Sequence, residues 1–254
     1  MLFVIDVGNT HTVLGIFKDN QLVGDWRVHT EKDTTEDEVN ILITNLFQRD
    51  GIRFDHIRQT IISCVFPPLV TILDGFCRKY LGHAPHWVNA KSFPAMPVLV
   101  KNPAEVGADR IVNAVAAYQK YQTSMVIIDF GTATTFDAVS AKGEYMGGAI
   151  SPGIHIASEA LFREASKLPR VEIFTPPESV IGKDTIGSLQ SGIIFGYAGL
   201  VDGVVTRMKK EMGGNPKVIA TGGLAHLMDR VSETIEVVDP TLTLEGLRII
   251  AQKV

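Results

Sequence analysis

The sequence predicts an α/β protein of two related lobes, because a strand-and-turn pattern occurs twice in the chain. The first copy reads VIDVGNTHT from Val4, and the second reads IIDFGTATT from Ile127. Each copy has an apolar run that ends in an aspartate, a glycine two residues later, and then hydroxyl or amide side chains. The aspartates, Asp6 and Asp129, are 129 − 6 = 123 residues apart in a chain of 254. We therefore expect each half to begin with the same buried strand and tight turn.

The first lobe is predicted as strands followed by helices. Lys18-Asp19-Asn20 separates two strand-like runs and predicts a hairpin. The segment from Thr34 to Glu38 has the hydroxyl and acidic residues of a capped helix start. The predicted elements are strands at 2–7, 12–17 and 21–28, a helix from 34 to 47, a strand at 60–65, a helix from 67 to 80, a proline-containing irregular segment at 84–97, and a helix at 106–121.

The second lobe repeats the opening three-strand order. We place the boundary near the helix at 106–121, which gives lobes of residues 1–115 and 116–254. The predicted elements are strands at 125–129, 135–140 and 144–150, helices at 153–168 and 185–212, a strand at 217–220, a turn at 221–223 with a short helix, a strand at 235–238, and a helix at 242–251.

Composition and charge narrow the class of protein. The chain is 45% hydrophobic and 20% charged, as globular proteins are, and its net charge of −4 argues against a general nucleic-acid binder. A small anionic ligand remains compatible, since a nest of N–H groups needs no overall positive charge. No 18-residue apolar run is present, so we expect no membrane span. Cys64 and Cys77 have no metal-binding spacing, which predicts two buried, reduced thiols in the cytosol.

The repeated turns have the chemistry of a phosphate site. An aspartate at the end of a strand can hold a cation or a water, and glycine lets the backbone approach a ligand closely. The N–H and hydroxyl groups that follow can donate to phosphate oxygens. Aspartate and glycine are also ordinary turn residues, so one copy alone would carry little weight. Two facing turns of this kind would hold a polyphosphate from both sides.

Other segments allow a functional and a structural interpretation. Asp109, at the predicted start of a helix, can accept a hydroxyl proton or can simply interact with the helix dipole. Its neighbour Arg110 can bind a carboxylate or form a surface ion pair. Thr221-Gly222-Gly223 can line an adenosine pocket or form an ordinary turn. Gly182-Lys183-Asp184-Thr185 lacks the pattern of a P-loop.

Four segments in order resemble one family. They are Asp6-Val7-Gly8-Asn9-Thr10, Glu105-Val106-Gly107-Ala108-Asp109-Arg110, Asp129-Phe130-Gly131-Thr132-Ala133-Thr134, and Gly147-Gly148-Ala149-Ile150-Ser151-Pro152-Gly153. Together they resemble the bacterial type III pantothenate kinases, of the actin, sugar-kinase and heat-shock-protein 70 superfamily. The resemblance covers essentially the whole chain. It implies two ribonuclease H-like lobes, each a mixed sheet flanked by helices, in a duplicated actin-like ATPase fold.

The resemblance also implies an activity. Members transfer the γ-phosphoryl group of ATP to the hydroxyl of pantothenate, the first step of coenzyme A biosynthesis. They are cytoplasmic homodimers that use Mg²⁺ together with a monovalent cation, K⁺ or NH₄⁺. No nucleic acid or membrane partner is expected.

Carried onto this sequence, the family pattern assigns the site residues. The phosphate loop that binds ATP consists of Asp6, Val7, Gly8, Asn9, Thr10, His11, Thr12 and Val13, and Thr132 also contacts ATP. Asp6 suits magnesium held through water. Asp129 holds the monovalent cation, and Asp109 is the catalytic base. Pantothenate is bound by Val100, Gly107, Ala108, Asp109 and Arg110, with Thr185 reaching it across the dimer interface.

Two positions depart from the family pattern. Val100 stands where members tend to carry an aromatic residue in the pantothenate pocket, so its contact is expected to be apolar only. His11 is larger than expected within the phosphate loop.

Two alternative functions, and two ways of packing one predicted helix, remain open. One alternative is another small-molecule kinase or a phosphatase on the same fold, such as a sugar kinase or an exopolyphosphatase. Another is a regulatory protein, since some relatives were described as accessory factors for transcription. In the helix at 185–212, Gly192, Gly196, Gly199 and Gly203 give a smooth face that can pack against a second copy or inside one subunit.

Overall fold

The structure is a computed structural model that describes residues 1–89, 92, 96–173 and 175–253. The chain forms two compact units. Unit 1 comprises Met1–Met96, Lys101–Ala116 and Leu242–Val254, and unit 2 comprises Pro97–Val100 and Ala117–Thr241. Inside the helix predicted at 106–121, the units divide between residues 116 and 117, one residue beyond the predicted boundary. Residues 97–100 were predicted in the first lobe but belong to unit 2. Residues 242–254 were predicted in the second lobe but belong to unit 1. Pro94 of the predicted irregular segment and Val254 lie outside the described residues.

Ten strands and seven α-helices make up the described part of the chain. The first group is β1 Leu2–Val7, β2 His11–Lys18, β3 Gln21–His29, α1 Glu36–Arg49, β4 Gln59–Cys64, α2 Pro68–Phe76, β5 His86–Trp87 and α3 Ala108–Tyr121. The second is β6 Met125–Phe130, β7 Ala133–Val139, β8 Tyr145–Pro152, α4 Ile154–Glu164, α5 Thr185–Met212, β9 Lys217–Gly222, α6 Ala225–Asp229, β10 Val237–Val238 and α7 Leu242–Ala251.

Both units contain a five-stranded mixed sheet with the same topology. The order is β3-β2-β1-β4-β5 in unit 1 and β8-β7-β6-β9-β10 in unit 2. In each, the first strand is antiparallel to the second and parallel to the fourth. The sequence repeat therefore corresponds to a structural duplication, and the predicted fold class of two mixed sheets flanked by helices is confirmed.

The two faces of β1 pack against different helices of unit 1. Phe3, Ile5 and Val7 are fully buried in the cluster that includes α1 and α2. Val4 and Asp6 alternate with them and so point to the opposite face. That face packs on α7, because a Cβ added at Gly15 would lie 2.9 Å from Val4 Cγ2 and 3.1 Å from Leu244 Cδ1.

Local chemistry explains the connections in unit 1. Asp19 (φ 48°) and Asn20 (φ 69°) are both left-handed, as the two central residues of a type I′ hairpin must be. Asn20 Oδ1 also accepts hydrogen bonds from Arg248 of α7 at 3.1 Å and from Gln252, just beyond that helix, at 2.6 Å. Helix α1 begins with a capping box between Thr35 and Glu38.

The core of unit 2 lies between its sheet and the long helix α5. Asp184 caps α5, since its Oδ1 accepts the Gly187 N–H at 2.7 Å. Ile194, Ala198 and Val201 of α5 are buried against residues of the sheet. On the rest of the helix, a Cβ added at Gly192, Gly196 or Gly199 would meet nothing within 4 Å. One side of α5 is thus packed against the sheet of unit 2. On its glycine-rich side, no other described part of the same chain occupies the space beside these three glycines.

Helix α5 bears on the expectation that the chain has no membrane span. Its 28 residues, with a mean hydropathy of 1.2 in the most apolar window, are long and apolar enough to cross a membrane by length and composition alone. The expectation rests on the lack of an uninterrupted apolar run, whereas α5 mixes small and polar residues into an apolar background. A core helix passes the same test, and α5 is partly buried on the sheet of unit 2.

Some predicted elements differ in extent. The two-residue strand β5 lies inside the segment predicted as irregular and pairs with Ile61 and Ile62 of β4. Helix α2 continues as a π-helical turn at Cys77–Leu81 and ends at Gly82, whose φ is 75°. Helix α4 ends at Glu164, four residues before the predicted end.

Candidate active site

The predicted phosphate loop of unit 1 is closed by hydrogen bonds within unit 1. The Gly8 N–H donates to His11 O at 3.0 Å. Thr30, the residue after β3, donates its hydroxyl to Gly8 O at 2.8 Å, and this hydroxyl lies 3.0 Å from Thr12 Oγ1. Asn9 and Thr10 at the tip are exposed. The loop therefore has a fixed base and an accessible tip.

The corresponding turn of unit 2 is one residue shorter. Val7 pairs with Thr12 across the first turn, whereas Phe130 pairs with Thr134 across the second. The structural counterpart of Thr12 is thus Thr134, although the sequence repeat aligns Thr12 with Thr135. The Gly131 N–H donates to Ala133 O at 3.1 Å, which closes this shorter turn.

Asp129 ends the central strand of unit 2, as Asp6 does in unit 1. A Cβ added at Gly222, at the end of β9, would lie 2.5 Å from Asp129 Oδ1, and the φ of Gly222 is 89°. Glycine is required here both for the backbone conformation and for the approach of the carboxylate. The Thr221-Gly222-Gly223 turn therefore lies against the predicted cation residue.

Asp109 lies in the first turn of α3, where its Oδ1 accepts the Arg110 N–H at 2.8 Å. Burial raises the pKa of the Asp109 carboxyl, and the N–H and charge of Arg110 oppose this effect. Gly107 makes room, since a Cβ there would lie 2.5 Å from Asp109 Oδ1. A carboxyl with a raised pKa is closer to the operating pH, which improves it as a proton acceptor.

Val65 connects the start of α3 to the end of β1. Its N–H donates to Val7 O at 3.0 Å. A Cβ added at Gly107 would lie 3.7 Å from Val65 Cγ1. Unit 1 therefore brings the segment from Gly107 to Arg110 to the same end of the sheet as the phosphate loop.

The two unusual residues have distinct surroundings. His11 is the register partner of His29, and their rings stack with centroids 5.1 Å apart. Val100, in unit 2, lies beside β8, because a Cβ added at Gly147 would be 3.4 Å from Val100 Cγ1. The ring at position 11 thus packs on a side chain of the neighbouring strand.

A buried polar pair lies where segment 97–100 joins β8. Segment 97–100 joins β8 through the Leu99 N–H, which donates to Tyr145 O at 2.8 Å. Tyr145 and Asp137 are both fully buried, and the Tyr145 hydroxyl lies 2.6 Å from Asp137 Oδ1. The sequence gives no sign of this pair, because only the register of β7 and β8 brings the two residues together.

Thr185 begins α5 and is exposed. It lines a cavity of about 480 Å³ together with Leu168, Lys183 and Ser188.

Val7 of the predicted phosphate loop is fully buried in the core of unit 1, so any ligand contact at this position comes from its backbone. The predicted residues are divided between the units: 6–13 and 107–110 lie in unit 1, and 100, 129, 132 and 185 lie in unit 2.

Neither cysteine resembles a nucleophile. Burial raises the pKa of Cys77 to about 12 and also raises the pKa of Cys64. Cys77 is buried as predicted, whereas Cys64 is only half-buried, and both are free thiols.

The side chains give no ready-made metal site in the described part of the chain. No group of three or more His, Cys, Asp or Glu side chains suited to a metal occurs in residues 1–89, 92, 96–173 and 175–253. A single carboxylate plus substrate phosphates is, however, a common way to bind Mg²⁺.

Comparisons with known proteins bear on identity and fold. The chain is 64% identical to the type III pantothenate kinase of Desulfatibacillum aliphaticivorans, over 100% of this chain and 99% of the relative. It is 62% identical to that of Desulforapulum autotrophicum, over 100% and 97%.

Two solved structures share the fold at low identity. Component A of (R)-2-hydroxyglutaryl-CoA dehydratase from Acidaminococcus fermentans has a TM-score of 0.60 at 15% identity, with 100% of this chain and 97% of that one covered. A ROK family glucokinase from Streptomyces griseus has a TM-score of 0.53 at 10% identity, with 99% and 98% covered. The family model for type III pantothenate kinase matches residues 2–207. The chain belongs to the type III pantothenate kinase family.

Proposed function

We propose that the chain transfers the γ-phosphoryl group of ATP to the hydroxyl of pantothenate, the first step of coenzyme A biosynthesis. The observation that carries this proposal is the full-length identity of 64% and 62% with two relatives of that name. The geometry supports it, since a closed phosphate loop and a half-buried carboxylate lie at one end of the unit 1 sheet. A regulatory role gains no comparable support.

Asp109 is the proposed base. The hydroxyl oxygen of pantothenate attacks the γ-phosphorus, the bond from that phosphorus to the β–γ bridging oxygen breaks, and ADP leaves. Asp109 takes the hydroxyl proton, and burial of its carboxyl favours this step because burial disfavours the charged form. Arg110, next along α3, is proposed to bind the pantothenate carboxylate together with Gly107 and Ala108, while Val100 forms an apolar wall.

The phosphate loop, Asp6 to Val13, is proposed to bind ATP. Its exposed tip leaves N–H and hydroxyl groups available to phosphate oxygens, and the Thr30 bond to Gly8 O keeps the base of the loop in place. Asp6 is proposed to hold hydrated Mg²⁺, which when bound neutralises charge on the phosphates. Thr132 in unit 2 is a further proposed contact to ATP.

Asp129 is the proposed residue for a monovalent cation, K⁺ or NH₄⁺. Its support is the position of the carboxylate at a strand end, where Gly222 lets the backbone approach it. A cation of this kind would lower the repulsion between the carboxylate and nearby phosphate.

A homodimer is the proposed assembly. The unoccupied glycine side of α5 and the exposed apolar residues Val180, Ile181 and Ile186 support it. Thr185, beside the cavity at the start of α5, is proposed to contact pantothenate bound by the partner subunit. The proposed location is cytoplasmic, where ATP is available.

A substrate-panel assay tests the function. The purified chain is incubated with ATP, Mg²⁺ and K⁺, with pantothenate, a sugar or no acceptor, and ADP release is measured. We expect turnover only with pantothenate. Equal ADP release without an acceptor, or faster release with a sugar, would contradict the proposal. Asp109→Asn provides the control for contaminating kinases.

A further inference from the structure

Ser63, near the end of β4, has a buried hydroxyl that no other feature explains. The residue is 0% exposed. Among the residues the structure describes, none places a hydrogen-bonding atom within reach of Ser63 Oγ. A buried polar group without a partner is costly, and each case in a native protein needs an explanation, such as strain, catalysis or an ion.

The position of Ser63 connects it to the proposed site. Ser63 is the register partner of Asp6 on the parallel neighbouring strand. Register partners on adjacent strands place their side chains on the same face, and neighbouring strands are about 4.8 Å apart. The Ser63 hydroxyl and the Asp6 carboxylate therefore lie on the same face of neighbouring strands, one strand spacing apart.

The duplicated unit repeats this arrangement. Asp129 of β6 is the register partner of Thr221 of β9, as Asp6 of β1 is of Ser63. Thr221 is also buried, at 2% exposure. Both sheets thus place a buried hydroxyl residue directly across from the aspartate that ends the central strand, although the surrounding sequences differ.

We propose that Ser63 is a positioning residue for Asp6. In the loaded enzyme the Asp6 carboxylate turns to hold hydrated Mg²⁺, and the Ser63 hydroxyl donates a hydrogen bond to it. The buried Ser63 hydroxyl fits this role, because the Asp6 carboxylate in the proposed orientation would supply the acceptor that no other described residue provides. The inference rests on the proposed function of Asp6 and adds a residue to it.

The substitution Ser63→Ala tests the idea by two measurements. Loss of a hydrogen bond to a charged group should raise the Mg²⁺ concentration for half-maximal activity about tenfold, with little change in the KM for pantothenate. Binding of Mn²⁺ in the presence of ADP, followed by electron paramagnetic resonance without turnover, should weaken by a similar factor. The Tm of the ligand-free variant should stay the same or rise, because a buried group without a partner has been removed.

Ser191→Ala is the matched stability control. Ser191 is also buried, but its hydroxyl donates to Val180 O at 2.5 Å. Its loss should lower the Tm and leave Mn²⁺ binding unchanged. A Ser63→Ala variant that behaves in the same way would show a purely structural role and overturn the inference.

Asp6→Asn separates the inference from the function on which it rests. We expect Asp6→Asn to weaken Mn²⁺ binding, and Ser63→Ala to add less in that background than in the wild type, since Ser63 acts through Asp6. If Asp6→Asn weakens binding and Ser63→Ala does not, the inference fails alone. If neither substitution affects binding, the proposed role of Asp6 fails, and the inference fails with it.

Discussion

At the scale of single residues, Asp109 shows a conflict between stability and activity. Its carboxyl is desolvated in the folded chain, so its pKa lies above the ordinary value of 3.8. Between these two pKa values the folded state binds more protons than the unfolded state. Stability therefore falls as pH rises through that range, and it stays reduced above it. The burial that supports the proposed role of Asp109 as base thus destabilises the fold at neutral pH.

Asp109→Asn should consequently lose activity and gain stability. Asparagine keeps the shape and the acceptor for the Arg110 N–H but cannot take a proton, so kcat should fall about 10²–10⁴-fold. It also never ionises, so the Tm at pH 7 should exceed that of the wild type. Thermal unfolding of the ligand-free proteins, with parallel kinase assays, measures both effects.

The pH dependence supplies the control for this prediction. Below the ordinary carboxyl pKa both variants are neutral at this position, and the Tm difference should vanish there. A variant with normal turnover would contradict the role as base. A Tm advantage that does not depend on pH would contradict the explanation by burial.

Asp129 gives a second prediction at the residue scale. If its carboxylate holds a monovalent cation, activity should be higher in K⁺ or NH₄⁺ than in Na⁺ at equal ionic strength. Asp129→Asn should remove most of this difference, because the charge that attracts the cation is gone. Rates measured in the three chloride salts test this, and equal activity of the wild type in all three would rule the site out.

At the scale of elements, local patterns predicted most of the fold. The bounds of β1, α5 and α7 agree with the sequence prediction, because apolar periodicity and terminal signals such as the Asp184 cap are encoded within each segment. The aspartate and glycine of each repeated turn can be predicted from sequence, since they too are encoded locally. The shorter length of the second turn cannot, because it depends on the pairing between β6 and β7.

Features that depend on distant packing could not be predicted. Helix α7 closes unit 1 because Leu244 packs against β1 and β2, and a Cβ added at Gly246 would lie 2.2 Å from Val112 O of α3. No local pattern reveals that neighbour. Thr30 likewise supports the phosphate loop from a position 22 residues beyond Gly8. In the site, the sequence identified residues by motif, while the residues that support them required three-dimensional structure.

The glycine side of α5 leads to a prediction at this scale. A leucine at Gly196 has room in its own chain and replaces a poor helix former, so the isolated subunit should be stabilised by up to about 1 kcal/mol. If the glycines pack against a second copy, the same side chain should separate the helices. Light scattering of Gly196→Leu at several concentrations should then show dissociation.

A leucine at Asn45 provides the comparison. Asn45 is an exposed position of α1 in unit 1, and Asn45→Leu adds a similar apolar group away from α5. We expect this variant to scatter light like the wild type. A Gly196→Leu protein that keeps the wild-type mass at every concentration would place the dimer contact elsewhere or exclude it.

At the scale of the whole molecule, the proposed assembly adds a residue to each active site. Asp109 and Thr185 belong to different units of one chain, and a symmetric dimer buries the same patch of both subunits. In the proposed dimer, each site combines Asp109 of one subunit with Thr185 of the other. Asp109 and Thr185 can then be substituted in separate chains, and the two variants can be mixed and assayed as one sample.

Mixing Asp109→Asn with Thr185→Ala subunits should restore activity. Thr185→Ala alone should raise the KM for pantothenate more than that for ATP, since a hydrogen bond to the ligand is worth roughly 0.5–1.5 kcal/mol. After exchange of equal amounts, half of the dimers are mixed, and each holds one intact site of two. Activity at low pantothenate should therefore approach roughly a quarter of the wild-type rate. Confirmed subunit exchange without any rescue, or a fully active monomer, would refute the shared site.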